Sequence, residues 1–196
     1  VKKNGKLIKS SWNEAFDLIK NKTIQTSPDK ICGFVGDMIN METSYIFKEL
    51  LSKTFKTDNY ESRPDHYYIN THTRENYLFN SKISGIEESD LIILIGTNPR
   101  FEATILNARL RKAYVKNKVE ILSLTNVGEL TYPYKSINGD LQTIKNISDD
   151  KHEISEKIIK SNKPLIVFGQ SFFLLKSSIY LFDLFKSFLN KNNKIS

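Results

Sequence analysis

The chain has 196 residues, of which 39% are apolar and 26% are charged, a composition typical of a globular protein with a substantial core. No stretch approaches the roughly 18 apolar residues of a membrane-spanning helix, and the net charge of +7 comes from scattered lysines. These features argue against a transmembrane segment and against nucleic-acid binding, which favours clustered basic residues. The single cysteine, Cys32, excludes an intrachain disulfide and an iron–sulfur cluster ligated by cysteines of this chain alone.

The first predicted helix begins after Ser11 and runs to about Lys20. Ser11 and Glu14 have the spacing of a capping box, in which the hydroxyl accepts a backbone amide and the carboxylate reaches back. The residues expected on the apolar side of this segment are Ala15, Phe16, Leu18 and Ile19. The pattern therefore predicts an amphipathic helix near the start of the chain.

A buried strand is predicted at residues 31–35, after Pro28 has interrupted the chain. Within this strand, Cys32 is interpreted as a small buried thiol that packs as an apolar side chain. The next helix is predicted from Met41 to about Phe55. The side chains that this helix is expected to bury are Ile46, Phe47 and Leu50.

Residues 85–112 are the most informative segment. The run Leu91–Ile95 is apolar without alternation, which predicts a strand buried on both faces of a parallel sheet. Gly96 ends this strand, residues 97–100 form a tight turn, and a helical run opens at Glu102. The apolar residues that repeat on one face of this helix are Leu106, Leu110 and Ala113. A strand, a glycine turn and a helix start form the corner at which many open α/β sheets bind nucleotides.

Later segments continue the alternation of strands and helices. The predicted elements are strands at 119–124 and 165–168 and helices near 141–144, 154–159 and 172–189. The last of these is interrupted by Lys176, Asp183 and Lys186, which favours an amphipathic helix packed on the sheet. This order predicts an α/β fold with a mostly parallel sheet flanked by helices. We expect residues 1–196 to form one domain with a soft boundary near 148–150.

The corner after the 91–95 strand resembles the molybdopterin oxidoreductase superfamily, whose members carry an acidic residue, a buried strand and then Gly-(Thr/Ser)-Asn-Pro. The residues that carry this resemblance here are Gly96, Thr97, Asn98, Pro99 and Arg100. The following helix, with Glu102-Ala103, Leu106-Asn107-Ala108-Arg109 and Arg111-Lys112, looks most like the branch of the superfamily found in respiratory complex I. That branch is the iron–sulfur subunit of the NADH dehydrogenase module, the largest subunit of the peripheral arm.

Three further segments are similar to the same branch. They are Ser11-Trp12-Asn13-Glu14-Ala15, Leu78-Phe79-Asn80-Ser81 and Leu130-Thr131-Tyr132. The resemblance covers roughly residues 6 to 170. It implies a molybdopterin oxidoreductase-like α/β domain that lacks the cofactor, because the complex I branch keeps the fold without generally using the pterin.

The resemblance also implies what the site residues do. Gly96, Thr97, Asn98, Pro99 and Arg100 would form a degenerate pterin-side loop, and no catalytic, cofactor-binding or metal-ligating residue is expected on this chain. Iron–sulfur clusters and FMN are expected on partner chains, because the cysteine-rich segments of the family lie upstream of this domain. The expected partners are other complex I subunits, especially the cluster-bearing part of the NADH module.

The implied function is that of a noncatalytic structural domain or subunit of NADH:ubiquinone oxidoreductase, either a fragment or the product of a split gene. The bias towards Lys, Asn and Ile is typical of AT-rich coding and favours an organelle-encoded protein on the matrix side of the mitochondrial inner membrane. The cytoplasmic face of a bacterial inner membrane is the alternative. Two other functions stay open, a molybdopterin-dependent oxidoreductase fragment and a nucleotide-binding module using the 96–100 turn.

The remaining polar candidates are interpreted as structural. Surface or hydrogen-bonding roles are expected for the histidines, which are His66, His72 and His152. Solvated or capping roles, rather than general acid/base catalysis, are expected for Glu87, Glu88 and Asp90. The pairs Ser10-Ser11 and Ser177-Ser178 lack a nucleophile elbow, and Asp58-Asn59 suits a turn as well as a strand-end site. Contacts to carboxylates of neighbouring segments or subunits are expected for Arg100, Arg109 and Arg111, with an ion pair inside the domain or a solvated charge as the alternative.

Overall fold

The computed structural model describes residues 1–36, 38–62, 66–137 and 139–194. The chain divides into two compact units, Val1–Asp65 and His66–Ser196. The stretch near 148–150, where the sequence predicts a soft boundary, lies within the second unit, at the turn between two helices.

The first unit opens with a small antiparallel hairpin, β1 (Lys2–Lys3) and β2 (Lys6–Leu7), followed by helix α1 (Trp12–Ile24). The predicted N-cap is confirmed, because the Ser11 hydroxyl accepts the Glu14 amide at 3.2 Å. The Glu14 carboxylate accepts the Ser10 hydroxyl at 2.5 Å instead of completing the capping box. The helix continues four residues beyond the predicted end, and none of its side chains is buried.

The rest of the first unit is a parallel pair of strands, β3 (Gly33–Phe34) and β4 (Tyr60–Glu61), with a helix between them. That helix, α2 (Met41–Glu49), continues into a π-helical turn at Leu50–Thr54. Gly33 allows the helix to lie directly on β3, because a Cβ there would overlap Leu51 Cδ1 and stand 2.8 Å from Phe47 Cε1. Through this contact the helical segment covers one face of the two-stranded sheet.

Two predictions for this region were wrong. The buried strand at 31–35 is only two residues long, and the Cys32 thiol is exposed, because few elements cover that side of β3. Along the following helix, Ile46 is 66% exposed and Leu50 is 40% exposed, while Leu51 is the buried side chain. Phe47 and Leu51, which are four residues apart and so lie on one side of the helix, are the side chains that face Gly33.

The second unit contains a four-stranded parallel sheet in the order β7-β6-β5-β8. Its strands are β5 (Leu91–Ile95), β6 (Glu120–Ser123), β7 (Lys135–Ser136) and β8 (Pro164–Phe168). Every residue of β5 is buried, and the strand lies between β6 and β8, which confirms the prediction of a central strand. In the sheet, β6 and β7 lie on one side of β5, and β8 lies on its other side.

Helices cover both faces of this sheet. They are α3 (Lys82–Gly85), α4 (Pro99–Glu102), α5 (Thr104–Asn117), α6 (Leu141–Ser148), α7 (Glu153–Lys160), α8 (Gln170–Phe173) and α9 (Ser178–Lys191). On one face Ile92 and Leu94 pack with Leu110 and Ala113 of α5. On the other face the residues that form one cluster with Leu91, Ile93 and Ile95 include Ile147, Ile154, Ile158, Phe172, Phe185 and Phe188. The predicted α/β fold with a parallel sheet flanked by helices is therefore confirmed.

The apolar segment predicted as one amphipathic helix at 172–189 forms the end of α8 and most of α9. Its buried side chains, Phe172, Leu181, Phe185 and Phe188, belong to the sheet core, as the interpretation of a helix packed on the sheet required. Among the described helices, none is long and apolar enough to cross a membrane.

Candidate functional site at the carboxyl end of β5

The turn that follows β5 is closed by a neighbouring segment of the chain. Gly96 has a φ of +61°, a conformation that favours glycine. A Cβ at this position would lie 2.6 Å from the Phe172 amide nitrogen and 2.8 Å from the Phe172 Cβ. The missing side chain of Gly96 therefore makes room for the backbone of α8.

The glycine that follows β8 faces the same turn from the other side. A Cβ on Gly169 would overlap the Thr97 Cβ and lie 2.6 Å from the Gly96 carbonyl oxygen. Two backbone hydrogen bonds join the turns, from Gly169 N to Ile95 O at 2.9 Å and from Ser171 N to Gly96 O at 3.1 Å. The glycine turns that follow β5 and β8 thus pack directly against each other. The sequence predicts a strand at 165–168 but not this contact; the glycine that follows each of the two strands was the available signal.

The polar groups of the turn bond mainly to one another. The Glu102 carboxylate accepts the Thr97 hydroxyl at 3.0 Å and the Asn98 amide at 2.7 Å. The Asn98 side-chain oxygen accepts the Arg100 amide at 3.1 Å, and its NH₂ group donates to the Val127 carbonyl at 2.9 Å. Donors that could bind an anion at the start of α4 are therefore engaged by acceptors of the chain itself.

Two of the three arginines that were expected to contact carboxylates do so within this chain. Arg100 binds the Glu129 carboxylate at 2.8 Å and the Glu129 carbonyl at 3.1 Å. Arg109 binds the Glu87 carboxylate at 2.5 Å, and Lys112 binds it at 2.9 Å. The hydrogen bonds from Lys112 and Arg109 hold the pKa of Glu87 below its ordinary value.

A buried polar contact behind the turn was missed by sequence analysis. Asn107 on α5 donates from its NH₂ group to the Leu130 carbonyl at 3.2 Å, and its oxygen accepts the Tyr132 hydroxyl at 2.9 Å. Burial raises the pKa of Tyr132 far above its ordinary value, so the phenol keeps its proton. The contact fixes the segment after β6 to α5. Asn107 and Leu130-Thr131-Tyr132 both carry the family resemblance, and this was the available signal that the two segments matter together.

The carboxylates before β5 lie at the opposite end of the strand, where they make hydrogen bonds and ion pairs within the chain. Asp90 accepts the Ser161 hydroxyl, the Asn162 amide at 2.7 Å and the Lys163 amide at 3.0 Å. Burial raises the pKa of Asp90, but these hydrogen bonds outweigh it and the pKa lies below its ordinary value. Glu88 pairs with Lys163 at 2.7 Å, and this contact lowers its pKa. Each carboxylate is thus held in its charged form.

The histidines do not come together with acidic residues at a metal site. His152 caps α7, because its Nδ1 atom accepts the Ile154 amide at 3.2 Å, while His66 and His72 are exposed. Among residues 1–36, 38–62, 66–137 and 139–194, no group of three His, Cys, Asp or Glu side chains could hold a metal ion.

The remaining candidates have local structural partners. Ser178 donates to the Tyr68 carbonyl at 2.6 Å, and Ser11 is the N-cap already described. The Asn59 side chain donates to the Asp29 carbonyl at 3.0 Å, and the Asn59 carbonyl accepts the Gly33 amide at 2.9 Å. Asp58-Asn59 thus directly precede β4, a position that suits both the turn and the strand-end roles that the sequence suggested.

Comparison with known proteins identifies relatives along the whole chain. The family Molybdopterin oxidoreductase matches residues 1–196. The NADH-ubiquinone oxidoreductase 75 kDa subunit of Reclinomonas americana is 35% identical over 182 residues, covering 86% of this chain and 26% of that protein. A subunit of the NADH-quinone oxidoreductase of Rickettsia bellii is 30% identical over 193 residues, covering 98% of this chain and 28% of that protein. The same subunit from Rickettsia prowazekii is 31% identical over 193 residues, with 98% and 28% coverage. The chain therefore spans about a quarter of the length of these relatives.

Proposed function

Because this chain belongs to the molybdopterin oxidoreductase family, and its curated relatives are complex I subunits, we propose that it is a noncatalytic structural part of NADH:quinone oxidoreductase. In this role it supports electron transfer from NADH to quinone by holding the cluster-bearing part of the peripheral arm. The flavin and the iron–sulfur clusters would lie outside residues 1–196, since one cysteine cannot ligate a cluster.

The observation that carries this proposal is the closed corner at the carboxyl end of β5. In open α/β sheets, ligands bind outside the carboxyl ends of the strands, where the strand order reverses. Here that position lies between β5 and β8, and it is filled by the contact of Gly96 with Phe172 and of Gly169 with Thr97. The degenerate loop formed by residues 96–100 thus has the contacts of a structural corner.

Isolation of the assembly from its source tests the proposal. We expect an affinity-tagged chain to co-purify with flavin- and cluster-containing subunits that oxidise NADH. Metal and pterin analysis of the same material should find iron and FMN without molybdenum, tungsten or pterin. Stoichiometric pterin and metal would favour a molybdopterin-dependent oxidoreductase instead, and a free monomer with turnover of its own would overturn the proposal.

A nucleotide-binding module is the second candidate, because the corner lies where the strand order reverses. We expect calorimetry with NADH, ATP and GDP to detect no binding to the folded protein. Micromolar binding of any of them would revive this candidate, and loss of that binding in a Gly169→Ala variant would assign it to the corner.

For location we propose the matrix side of the mitochondrial inner membrane, as part of the peripheral arm. Support comes from the AT-rich coding bias and from the Reclinomonas americana relative. Protease treatment of intact mitoplasts should leave the chain uncut, whereas rupture of the inner membrane should expose it. A bacterial source would place the chain on the cytoplasmic face, and the genomic origin of the coding sequence distinguishes the two.

A further inference from the structure

Thr131 has a backbone conformation that its own side chain disfavours. It lies in the β6–β7 loop (residues 124–134), and its φ is +72°, in the left-handed region where a branched Cβ crowds the backbone. Asparagine and aspartate tolerate this region, and Asn4 and Asp150 adopt it elsewhere in the chain. Among the described non-glycine residues with a positive φ, Thr131 alone has a branched Cβ. The threonine therefore carries a strain that glycine at this position would not.

One buried side chain holds the residues on both sides of Thr131. Asn107 of α5 donates to the Leu130 carbonyl at 3.2 Å and accepts the Tyr132 hydroxyl at 2.9 Å. Leu130 has no exposed surface and Tyr132 is 7% exposed, so both flanking residues are fixed in the interior. Backbone strain persists where the surrounding structure fixes the conformation. Asn107 therefore holds the strained conformation and leaves Thr131 itself at the surface.

The β6–β7 loop is also tied to the helix that follows β5. Asn98 donates from its NH₂ group to the Val127 carbonyl at 2.9 Å, and Arg100 donates to the Glu129 carbonyl at 3.1 Å. With the two hydrogen bonds of Asn107, four contacts from one helical segment reach this loop. The loop is therefore rigid and presents Thr131 in one orientation.

The exposed Thr131 side chain has no use inside the chain. Within the part of the chain that the structure describes, its hydroxyl makes no hydrogen bond. The helices that hold the loop also carry Phe101 and Ile105, which are 79% and 72% exposed. An exposed aromatic ring next to an arginine is typical of the residues that dominate protein–protein interfaces. The strained residue thus belongs to a surface with the composition of a binding site for another polypeptide.

We infer that Thr131 is a contact residue, whose hydroxyl hydrogen-bonds to the cluster-bearing part of the peripheral arm while Asn107 holds it in position. This inference rests on the proposed function. Strained residues cluster where the strain serves a function, and the Thr131 side chain serves none within the described chain. The occupant follows from the proposed role and from length, because about three quarters of each relative lies outside the match.

The melting temperature of the isolated chain tests the strain. Thr131→Gly removes the Cβ, so it should raise the melting temperature by about 2–4 °C. Thr125→Gly is the matched control, because Thr125 is exposed in the same loop and its φ is not positive. That change should lower the melting temperature, since glycine only adds freedom to the unfolded chain there. A Thr131→Gly protein that is destabilised like Thr125→Gly overturns the inference.

Recovery of the assembly tests the contact. Tagged Thr131→Gly, Thr131→Ala and Thr131→Ser chains are expressed in the source cells beside the wild-type chain. Recovery of flavin- and cluster-containing subunits should fall roughly tenfold for Gly and Ala, because a buried group of the partner loses its hydrogen bond. Thr131→Ser keeps the hydroxyl and should recover them like the wild type. Normal recovery with Thr131→Ala overturns the inference, as does equal loss with Thr131→Ser.

A photo-crosslinking residue at position 101, p-benzoylphenylalanine, then identifies the occupant in the cell. We expect the crosslinked peptide to come from a cluster-bearing segment of complex I, outside the sequence of residues 1–196. A crosslink to a second copy of this chain or to an unrelated protein overturns the inference, as does the absence of a crosslink. If the wild-type chain recovers no complex I subunits, the proposed function fails as well, and the two failures are thereby distinguished.

Discussion

The corners that follow β3 and β5 have the same order of strand, loop and helix, but only the second is complete. β5 has strands on both edges and helices on both faces, and all its residues are buried. β3 has one strand on one edge and one helix on one face. The unbroken apolar run of β5 suits burial on both faces, but its burial also needs β6, β8 and the helices that pack on it, which are remote in sequence. Whether a strand–loop–helix corner is buried therefore depends on the segments that pack around it.

The largest effect is expected from a carboxylate placed on the complete strand. Ile93 has no exposed surface and packs between apolar residues of the sheet and helices. Ile93→Asp should lower the free energy of unfolding by several kcal/mol, on the order of 4, because the buried carboxylate has no partner. Urea unfolding followed by circular dichroism measures this change.

The matched substitution on the incomplete strand is Phe34→Asp. Since Phe34 is 66% exposed, the isolated chain should lose less than about 0.5 kcal/mol. Equal losses at positions 34 and 93 would contradict the contrast between the two strands.

The next largest loss of stability is expected at Gly169, which packs against the turn after β5. Gly169→Ala would force a methyl group into the Thr97 Cβ and to 2.6 Å from the Gly96 carbonyl oxygen. The backbone atoms cannot rotate away, so we expect a loss of about 2–3 kcal/mol and a lower melting temperature. Gly85→Ala is the control, since a Cβ there meets only Ser81 at 3.9 Å and the change should leave stability equal or slightly higher. A Gly169→Ala protein that melts like Gly85→Ala would show that the corner is looser than the contacts indicate.

The loss of stability at acid pH should depend on Asp90, which lies in the second unit. Its pKa is lowered in the folded chain, so its contribution to stability is present above the unfolded pKa of about 4 and is lost as pH falls through the lower folded value. Asp90→Asn should cost about 1 kcal/mol at pH 7 and should flatten the decline of stability below about pH 5. Thermal melts between pH 7 and pH 3 measure both effects, and parallel curves for the variant and the wild type would remove Asp90 as a source of acid sensitivity.

A small effect on folding is expected from Arg100→Ala. The ion pair with Glu129 is solvent-exposed, and such pairs contribute about 0–1 kcal/mol. We expect an almost unchanged melt but weaker assembly with the cluster-bearing partner, measured on native gels. Glu129→Ala is the control, because it removes the same ion pair and leaves Arg100 free for a partner. Normal assembly of the Arg100→Ala protein would leave the arginine with only its contact inside the chain.

The sequence predicts the second unit better than the first because the second unit supplies its own neighbours. The unbroken run at 91–95 identifies a strand buried on both faces, and the repeat of Leu106, Leu110 and Ala113 identifies the helix that covers one face. The same reasoning failed at Cys32 and Ile46, since apolar residues there remain exposed where no other segment packs on them.

The position of the candidate site along the chain was predictable from the sequence, but the contacts that its residues make were not. Gly96 marks the end of β5 from sequence alone, yet its closest contact, Phe172, lies in another segment of the chain. The contact with Phe172 depends on β8 lying beside β5, and the Asn107–Tyr132 hydrogen bond joins side chains 25 residues apart. Neither contact follows from the pattern of adjacent residues.

The contact between β5 and β8 also fixes an order of events during synthesis. The Asp90 carboxylate and the Lys163 amide are 73 residues apart in sequence, so one edge of β5 is unpaired while the intervening chain is translated. At elongation rates of about 5–20 residues per second, this interval lasts several seconds, long compared with the collapse of a chain of this size. The unpaired edge of the nascent β5 can associate with other chains during this interval, and the unit is protected from such association only when β8 has left the ribosome.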